Sequence, residues 1–306
     1  MNFMPAHTPL APPGAADEAG AQRALEGICA QRALEGVGAQ RALEGIGAQR
    51  ARGHLDLAFG HDGTRTRLQR FYQQGCLKAR LPRGPGVEAV ALNISGGIAG
   101  GDVLETEVTL AEGASVTFTT QAAERVYRAL GPAARVSTHL IAGPGARLAY
   151  LPQETLLFDG FALERALDID LAAGARFLGI ESLVFGRLAM GESVGKGHLR
   201  DRISLRREGR LLWQDMTRLD GDIATQLDRP GVAAGARAVA TLFAVGLNSR
   251  LDALRAALAG AHAGASVMDD VLLARVLAPD AAALRKIMVH ALAALRPGPL
   301  PRVWQG

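Results

Sequence analysis

Residues 111–121 read AEGASVTFTTQ, a glycine-marked turn followed by an alternation that puts Val116 and Phe118 on one side of the chain. A period of two is the signal of a half-buried β-strand. The turn recurs as GPGAR, AAGAR, REGR and AAGAR, with its glycine at 113, 145, 174, 209 and 235, in steps of 32, 29, 35 and 26 residues. Leu167, Ile169 and Leu171, interrupted by Asp168 and Asp170, repeat the alternation. A unit of roughly 30 residues is too small to bury its own apolar face, so neighbours must stack to share a core. The expected fold is mainly β: a solenoid-like stack of antiparallel β-hairpin units, with strands running from 54–61 to a last strand over 267–277. No segment between 54 and 245 offers a crossover helix, which disfavours a parallel α/β sheet. Two helices are expected at the C-terminal end. Ser249 with Asp252 has the form of a capping box before Leu251, Leu254 and Leu258, and Asp280 can cap a helix that carries Leu284, Ile287, Met288, Ala291 and Leu295 on one face before Pro297.

Composition excludes several classes of function. A chain of 306 residues, 48% hydrophobic and 21% charged, has an ordinary globular balance and length enough for a full core. The net charge is +4, but 30 acidic residues are interleaved with 34 basic ones, so no nucleic-acid footprint stands out. Cys29 and Cys76 cannot build a disulfide framework, and no window has the ~18 apolar residues of a membrane span. With no signal-peptide pattern among Pro5, Pro9, Pro12 and Pro13, the expected location is cytoplasmic.

The first 50 residues differ from the rest. AQRALEGIC, AQRALEGVG and AQRALEGIG begin at Ala21, Ala30 and Ala39, a period of nine. Nine steps of 100° turn a helix through two and a half revolutions, so Leu25 and Leu43 share a face that Leu34 does not. Gly27, Gly36 and Gly45 weaken any helix further. Residues 1–50 are expected to be a disordered, low-complexity tail, and 51–306 a single β-rich domain.

Signatures of a phosphate loop, a dinucleotide fold and a closed metal site are missing. SGGIAGGD at 95–102 lacks the Lys-Ser/Thr of a phosphate loop and the spacing of a dinucleotide fold, so its glycines read as a backbone needing positive φ or close approach to place Asp102. No H-x-x-x-H or Cys-His cluster is present, and His139 and His198 lie on expected strands. Carboxylates are more suggestive. Glu181 lies in RFLGIESLVFG, where an ionised group is costly to bury unless it faces water, a partner or a cation. Glu154 and Asp159 leave open a β-fold hydrolase that works with an acid pair. Arg125, Tyr127 and Arg128 bring together residue types common at interface hot spots, and Glu124 or Asp159 could equally pin that loop through arginine pairs.

Four phrases occur in a fixed order: LNISGGIAGGD (92–102), TQAAERVYRA (120–129), LPQETLLFDG (151–160) and FGRLAMGE (185–192). Together they resemble the UreD (also called UreH) family of urease accessory proteins, over residues from about 50 to the C-terminal PRVW. Gly96, Gly97, Gly100, Gly101 and Asp102 match that family's glycine motif; the nonamer tail is not part of its pattern. The resemblance implies a helically wound β fold and a non-catalytic scaffold that binds the urease apoenzyme together with F-type and G-type accessory proteins, the latter a GTPase. It implies help in delivering nickel to the urease active site, with no tightly bound cofactor and Ni²⁺ passing only transiently. Carboxylates and water hold such a cation more loosely than thiolates and imidazoles, which suits transit. Glu154, Asp159 and Glu181 are the candidate nickel-path residues, and Arg125, Tyr127 and Arg128 the candidate docking residues.

Overall fold

The computed structural model describes residues 50–187, 191–296 and 298–305. The nonamer tail, Cys29 and Pro297 lie outside the described residues. Seventeen strands and three α-helices follow in order among those residues. The strands are β1 (Arg52–His61), β2 (Thr66–Gly75), β3 (Leu77–Arg80), β4 (Val87–Asn93), β5 (Val103–Leu110), β6 (Ser115–Thr120), β7 (Glu124–Val126), β8 (Ala134–Ala142) and β9 (Arg147–Leu151). They continue as β10 (Thr155–Leu157), β11 (Phe161–Leu171), β12 (Arg176–Phe185), β13 (Lys196–Arg207), β14 (Arg210–Asp222), β15 (Ala238–Val245), β16 (His262–Met268) and β17 (Val271–Ala278). The helices are α1 (Ile223–Asp228), α2 (Leu251–Ala257) and α3 (Ala281–Leu295).

The chain winds between two facing sheets. One has the order β14-β13-β11-β8-β5-β1-β2 and the other β16-β17-β15-β12-β9-β6-β4-β3. From β4 to β13 the chain alternates between them, with the short β7 and β10 attached to the second sheet, so the stack is mainly β and solenoid-like. Pairing inside the stack differs from a series of antiparallel hairpins. β5, β8, β11 and β13 run parallel, as do β4, β6, β9 and β12, because the turns at Gly113, Gly145 and Gly174 carry the chain across to the opposite sheet, whereas Gly209 turns the β13–β14 hairpin within one sheet and Gly235 lies between α1 and β15. The turn spacing is the coil length: Ser115 pairs with Arg147 and Arg147 with Arg176, the same steps of 32 and 29 that separate Gly113, Gly145 and Gly174. All three glycines have positive φ, and the turns stack through Gly113 N–H donating to Pro144 and Gly145 N–H to Ala173. True hairpins occur at the ends of the stack, where β1 with β2, β13 with β14 and β16 with β17 are antiparallel.

Two cores result. Between the sheets lie Leu55, Phe59, Val108, Leu140, Leu167, Ile203 and Phe177, all buried. Behind the second sheet, Leu178, Ile180, Val184 and Leu242 pack against Leu254 of α2 and Leu284, Met288 and Leu292 of α3. β12 is therefore apolar on both faces, and at roughly 25 cal/mol per Å² each of its large side chains contributes on the order of 2 kcal/mol by leaving water. Asp280 caps α3 by accepting the Ala283 N–H at 2.8 Å. The expected Ser249 cap is not formed: residues 248–250 make a 3₁₀ turn that leads into α2 with Arg250 at its N-cap and no side-chain cap bond. The single strand expected over 267–277 is the hairpin of β16 and β17, turning at Asp269 and Asp270, both at positive φ.

Candidate functional site

The four sequence phrases that lie far apart in the chain meet along one side of the stack. β7 pairs with β10 and β10 with β12, all parallel, and Ile98 makes a further parallel bridge to Val126. Ile98, Val126, Leu157 and Phe185, one from each phrase, form a buried column. The glycine motif lets this column close. Gly97 has φ +146, and a Cβ there would overlap the Tyr127 ring and lie 2.8 Å from the Arg125 carbonyl oxygen. A Cβ on Gly100 would lie 2.7 Å from that of Ala129. Tyr127 donates its hydroxyl hydrogen to the Gly96 carbonyl at 3.1 Å and packs edge-on against Phe158. Asp102, 4% exposed, accepts the Ala51 and Ala99 N–H groups at 2.8 Å each and ties the start of β1 to the loop.

Behind that column, between the sheets, sits a buried group of charges. Arg165 of β11 donates to both oxygens of Asp201 on β13, at 2.9 and 2.6 Å, and its Nη1 lies 2.7 Å from Glu181 Oε2 on β12. The same Nη1 donates to Thr155 Oγ1 at 3.1 Å, and Tyr150 donates its hydroxyl to Glu181 Oε1 at 3.2 Å. Arg165 thus bridges the two sheets, and side-chain exposures of 10%, 6% and 7% for Arg165, Glu181 and Asp201 take the group nearly out of water. Burial pushes the Glu181 carboxyl up to about 7, against the pull of Arg165. Burial also opposes the Arg165 charge, but Asp201 and Glu181 outweigh it and hold the guanidinium protonated. The Tyr150 hydroxyl is raised by burial and then by Glu181, so it stays neutral and donates.

Two cavities meet at this group. The first, about 450 Å³, reaches from exposed Ile94, Gly96 and Gln121 at its rim down to Tyr150, Arg165 and Glu181. Glu124, raised by burial and partly compensated by Asn93 amide bonds at 3.2 and 3.3 Å, lies near that rim. The second cavity, about 590 Å³, begins at Glu181 and Asp201 and ends among Met216, Arg218, Arg229 and Val232. Glu181 is the residue common to both linings.

The other candidate residues are placed elsewhere. Glu154, 8% exposed, faces Arg285 of α3 at 3.3 Å. Asp159 accepts the Gly195 and Lys196 N–H groups at 2.9 and 3.0 Å and pairs with Arg128 at 2.6 Å. Its carboxyl is held below the usual range, first by the Lys196 bond. Neither residue is in the lining of these two cavities, and each is engaged by an arginine. Arg128 is committed to Asp159, whereas Arg125 lines the first cavity. His139 and His198 lie on the outer face, 2.8 Å from Asp170 and 3.2 Å from Asp220. Among the described residues no three His, Cys, Asp or Glu side chains are grouped to hold a metal ion, and no helix is long and apolar enough to cross a membrane.

Sequence reasoning singled out Glu181 and missed Arg165 as its partner. The signal was present. In FALERALDIDL, Leu163, Leu167, Ile169 and Leu171 share the inward phase, and Arg165 is the charged residue in it; Asp201 breaks the inward phase of Leu199, Ile203 and Leu205 in the same way.

Comparison with known proteins agrees with the four phrases. The profile of the family described as UreD urease accessory protein matches residues 51–305. A urease accessory protein UreD from Xanthobacter autotrophicus is 47% identical over 259 residues, covering 83% of this chain and 90% of its own. Those of a Methylobacterium species and Rhizobium etli are 46% and 43% identical, covering 79% and 83% of this chain and 90% and 94% of theirs. A match along the whole described β domain, at that identity, makes this chain a member of the UreD urease accessory protein family.

Proposed function

We propose that this chain is a non-catalytic scaffold that binds the urease apoenzyme and its F-type and G-type accessory proteins, and that Ni²⁺ crosses its interior on the way to urease. Membership of the family supports a role in urease maturation. The observation that carries the path is the pair of cavities meeting at Glu181. A cation moving between the sheets finds carboxylates at intervals, Glu124 near one rim and Glu181 with Asp201 at the midpoint, with neutral polar side chains such as Thr106, Thr120 and Gln153 among the apolar ones of the first cavity. Oxygen donors of this kind hold a borderline divalent ion weakly enough to release it. Glu154 and Asp159, engaged with Arg285 and Arg128, stand beside that route as supports of its wall. The rim formed by Ile94, Arg125 and Tyr127 is the docking face for one partner, and the rim formed by Met216, Arg218 and Val232 the face for another. Exposed apolar side chains beside arginine are common at such contacts.

Glu181→Ala tests the path. In cells with this gene replaced by the variant, the accessory complex should still co-purify with urease, and urease should be nickel-poor and inactive. Full nickel content with the variant would remove Glu181 from the route.

A further inference from the structure

Arg165 is an odd residue to find at the midpoint of a cation path, since a fixed positive charge there repels the cargo. We propose that Arg165 is a displaceable plug: its guanidinium occupies the seat between Glu181 and Asp201 that a divalent cation takes in transit, and yields it by turning toward the first cavity. This inference rests on the reading that ions cross between the two cavities.

The geometry supports it in three ways. The two carboxylates come from opposite sheets and converge on the one guanidinium, which is the resident counter-charge they need, because a buried unpaired carboxylate is costly. Two anions and one cation leave the ionised cluster with one unmatched negative charge. A divalent ion balances it fully and makes the guanidinium redundant. Arg165 also has somewhere to go. It lines the first cavity, where Thr155 Oγ1 already accepts its Nη1 at 3.1 Å. Gln153, 7% exposed, lines the same cavity and accepts from Arg285 through its side-chain oxygen at 2.6 Å, while its Nε2 has no partner among the described residues. A donor so deeply buried calls for water, which makes this cavity a polar space able to receive a guanidinium. Each ion that enters must displace a two-pronged charge-assisted bond, and that cost is subtracted from its own affinity. The seat is thereby kept neutralised when no ion is present and weak when one is, as a transfer point requires.

The test is Ni²⁺ binding to the purified full-length chain by equilibrium dialysis, comparing wild type, Arg165→Met and Arg165→Met with Glu181→Gln. Arg165→Met should retain a stoichiometric ion and bind it at least about tenfold tighter than wild type, the factor expected when a competing charge worth ~1.4 kcal/mol is removed. Adding Glu181→Gln should abolish the gain. A folded Arg165→Met chain, shown by circular dichroism, that binds Ni²⁺ no tighter than wild type overturns the plug. Should Arg165→Met not fold, Arg165→Lys decides: its ammonium cannot fork across Asp201, so it should bind Ni²⁺ more tightly than wild type by a smaller factor, and wild-type affinity overturns the proposal. The path itself is judged separately. Nickel-poor urease with Glu181→Ala but no retention by Arg165→Met leaves the path and removes the plug, whereas nickel-replete urease with Glu181→Ala removes the path.

Discussion

β11 and β13 carry two arginine–aspartate forks, one on each face. On the inner face Arg165 grips Asp201 at 2.9 and 2.6 Å, with side chains 10% and 7% exposed. On the outer face Arg202 grips Asp168 at 2.7 and 2.8 Å, with side chains 34% and 30% exposed. The bonds are alike and the surroundings are not. Water screens the outer pair, whose removal costs little; the inner pair must offset desolvation of every charge it contains. A fold gains stability more simply by filling such a position with leucine, as Leu163 and Leu167 do on either side of Arg165. Charges kept inside against that alternative point to use.

The contrast can be broken most easily by substitution. Arg165→Met should lower the unfolding free energy by about 3–5 kcal/mol, because two carboxylates lose their counter-charge, while Arg202→Met should lower it by less than about 1 kcal/mol. Denaturant titration of both variants checks this, and equal losses would erase the difference between the faces.

Acid and base should also act on the two faces with opposite sign. The folded-state pKa of Glu181 is raised, from 4.5 to about 7, so its stabilising contribution is complete below pH 4.5 and is lost as pH rises through about 7. Asp168 is lowered from 3.8 by its bond to Arg202, so its contribution is present above that value and is lost as pH falls below it. Stability measured against pH should therefore fall on both sides, by up to about 3 kcal/mol on the neutral side. Glu181→Gln should flatten the neutral limb and Asp168→Asn the acid limb. A neutral limb untouched by Glu181→Gln would contradict the burial argument.

The backbone offers a smaller version of the same comparison. Gly97→Ala drives a Cβ into Tyr127 at a φ of +146 and should cost about 2–3 kcal/mol, together with loss of urease activation. Gly145→Ala, at φ +63 with open space around it, should cost about 1 kcal/mol and leave activation intact. Thermal unfolding of the two variants ranks them.

The sequence made the outer architecture readable because its turns are repetitive. Gly113, Gly145 and Gly174 mark the coil length directly. Direction of pairing was not readable, since a glycine turn looks the same whether the chain doubles back beside itself or crosses to a facing sheet. β3, β7 and β10 have three or four residues each, too few for an alternation to show, yet β7 and β10 build the wall that joins the four phrases. At the site, Glu181 stood out because β12 is apolar on both faces. Arg165 and Asp201 were equally out of phase with their neighbours, but which inward charges meet depends on the 36-residue offset between β11 and β13, and that is fixed only by the stacked register.

The most direct test places the same charge on each face. With Glu181→Lys and Asp168→Lys chains substituted in cells that assemble urease, and co-purification of the accessory complex verified, the nickel content of the purified urease is measured. An interior route predicts nickel-poor urease with Glu181→Lys, where a fixed cation blocks the junction of the cavities, and nickel-replete urease with Asp168→Lys. Full nickel in the Glu181→Lys sample, with the complex intact, would contradict it.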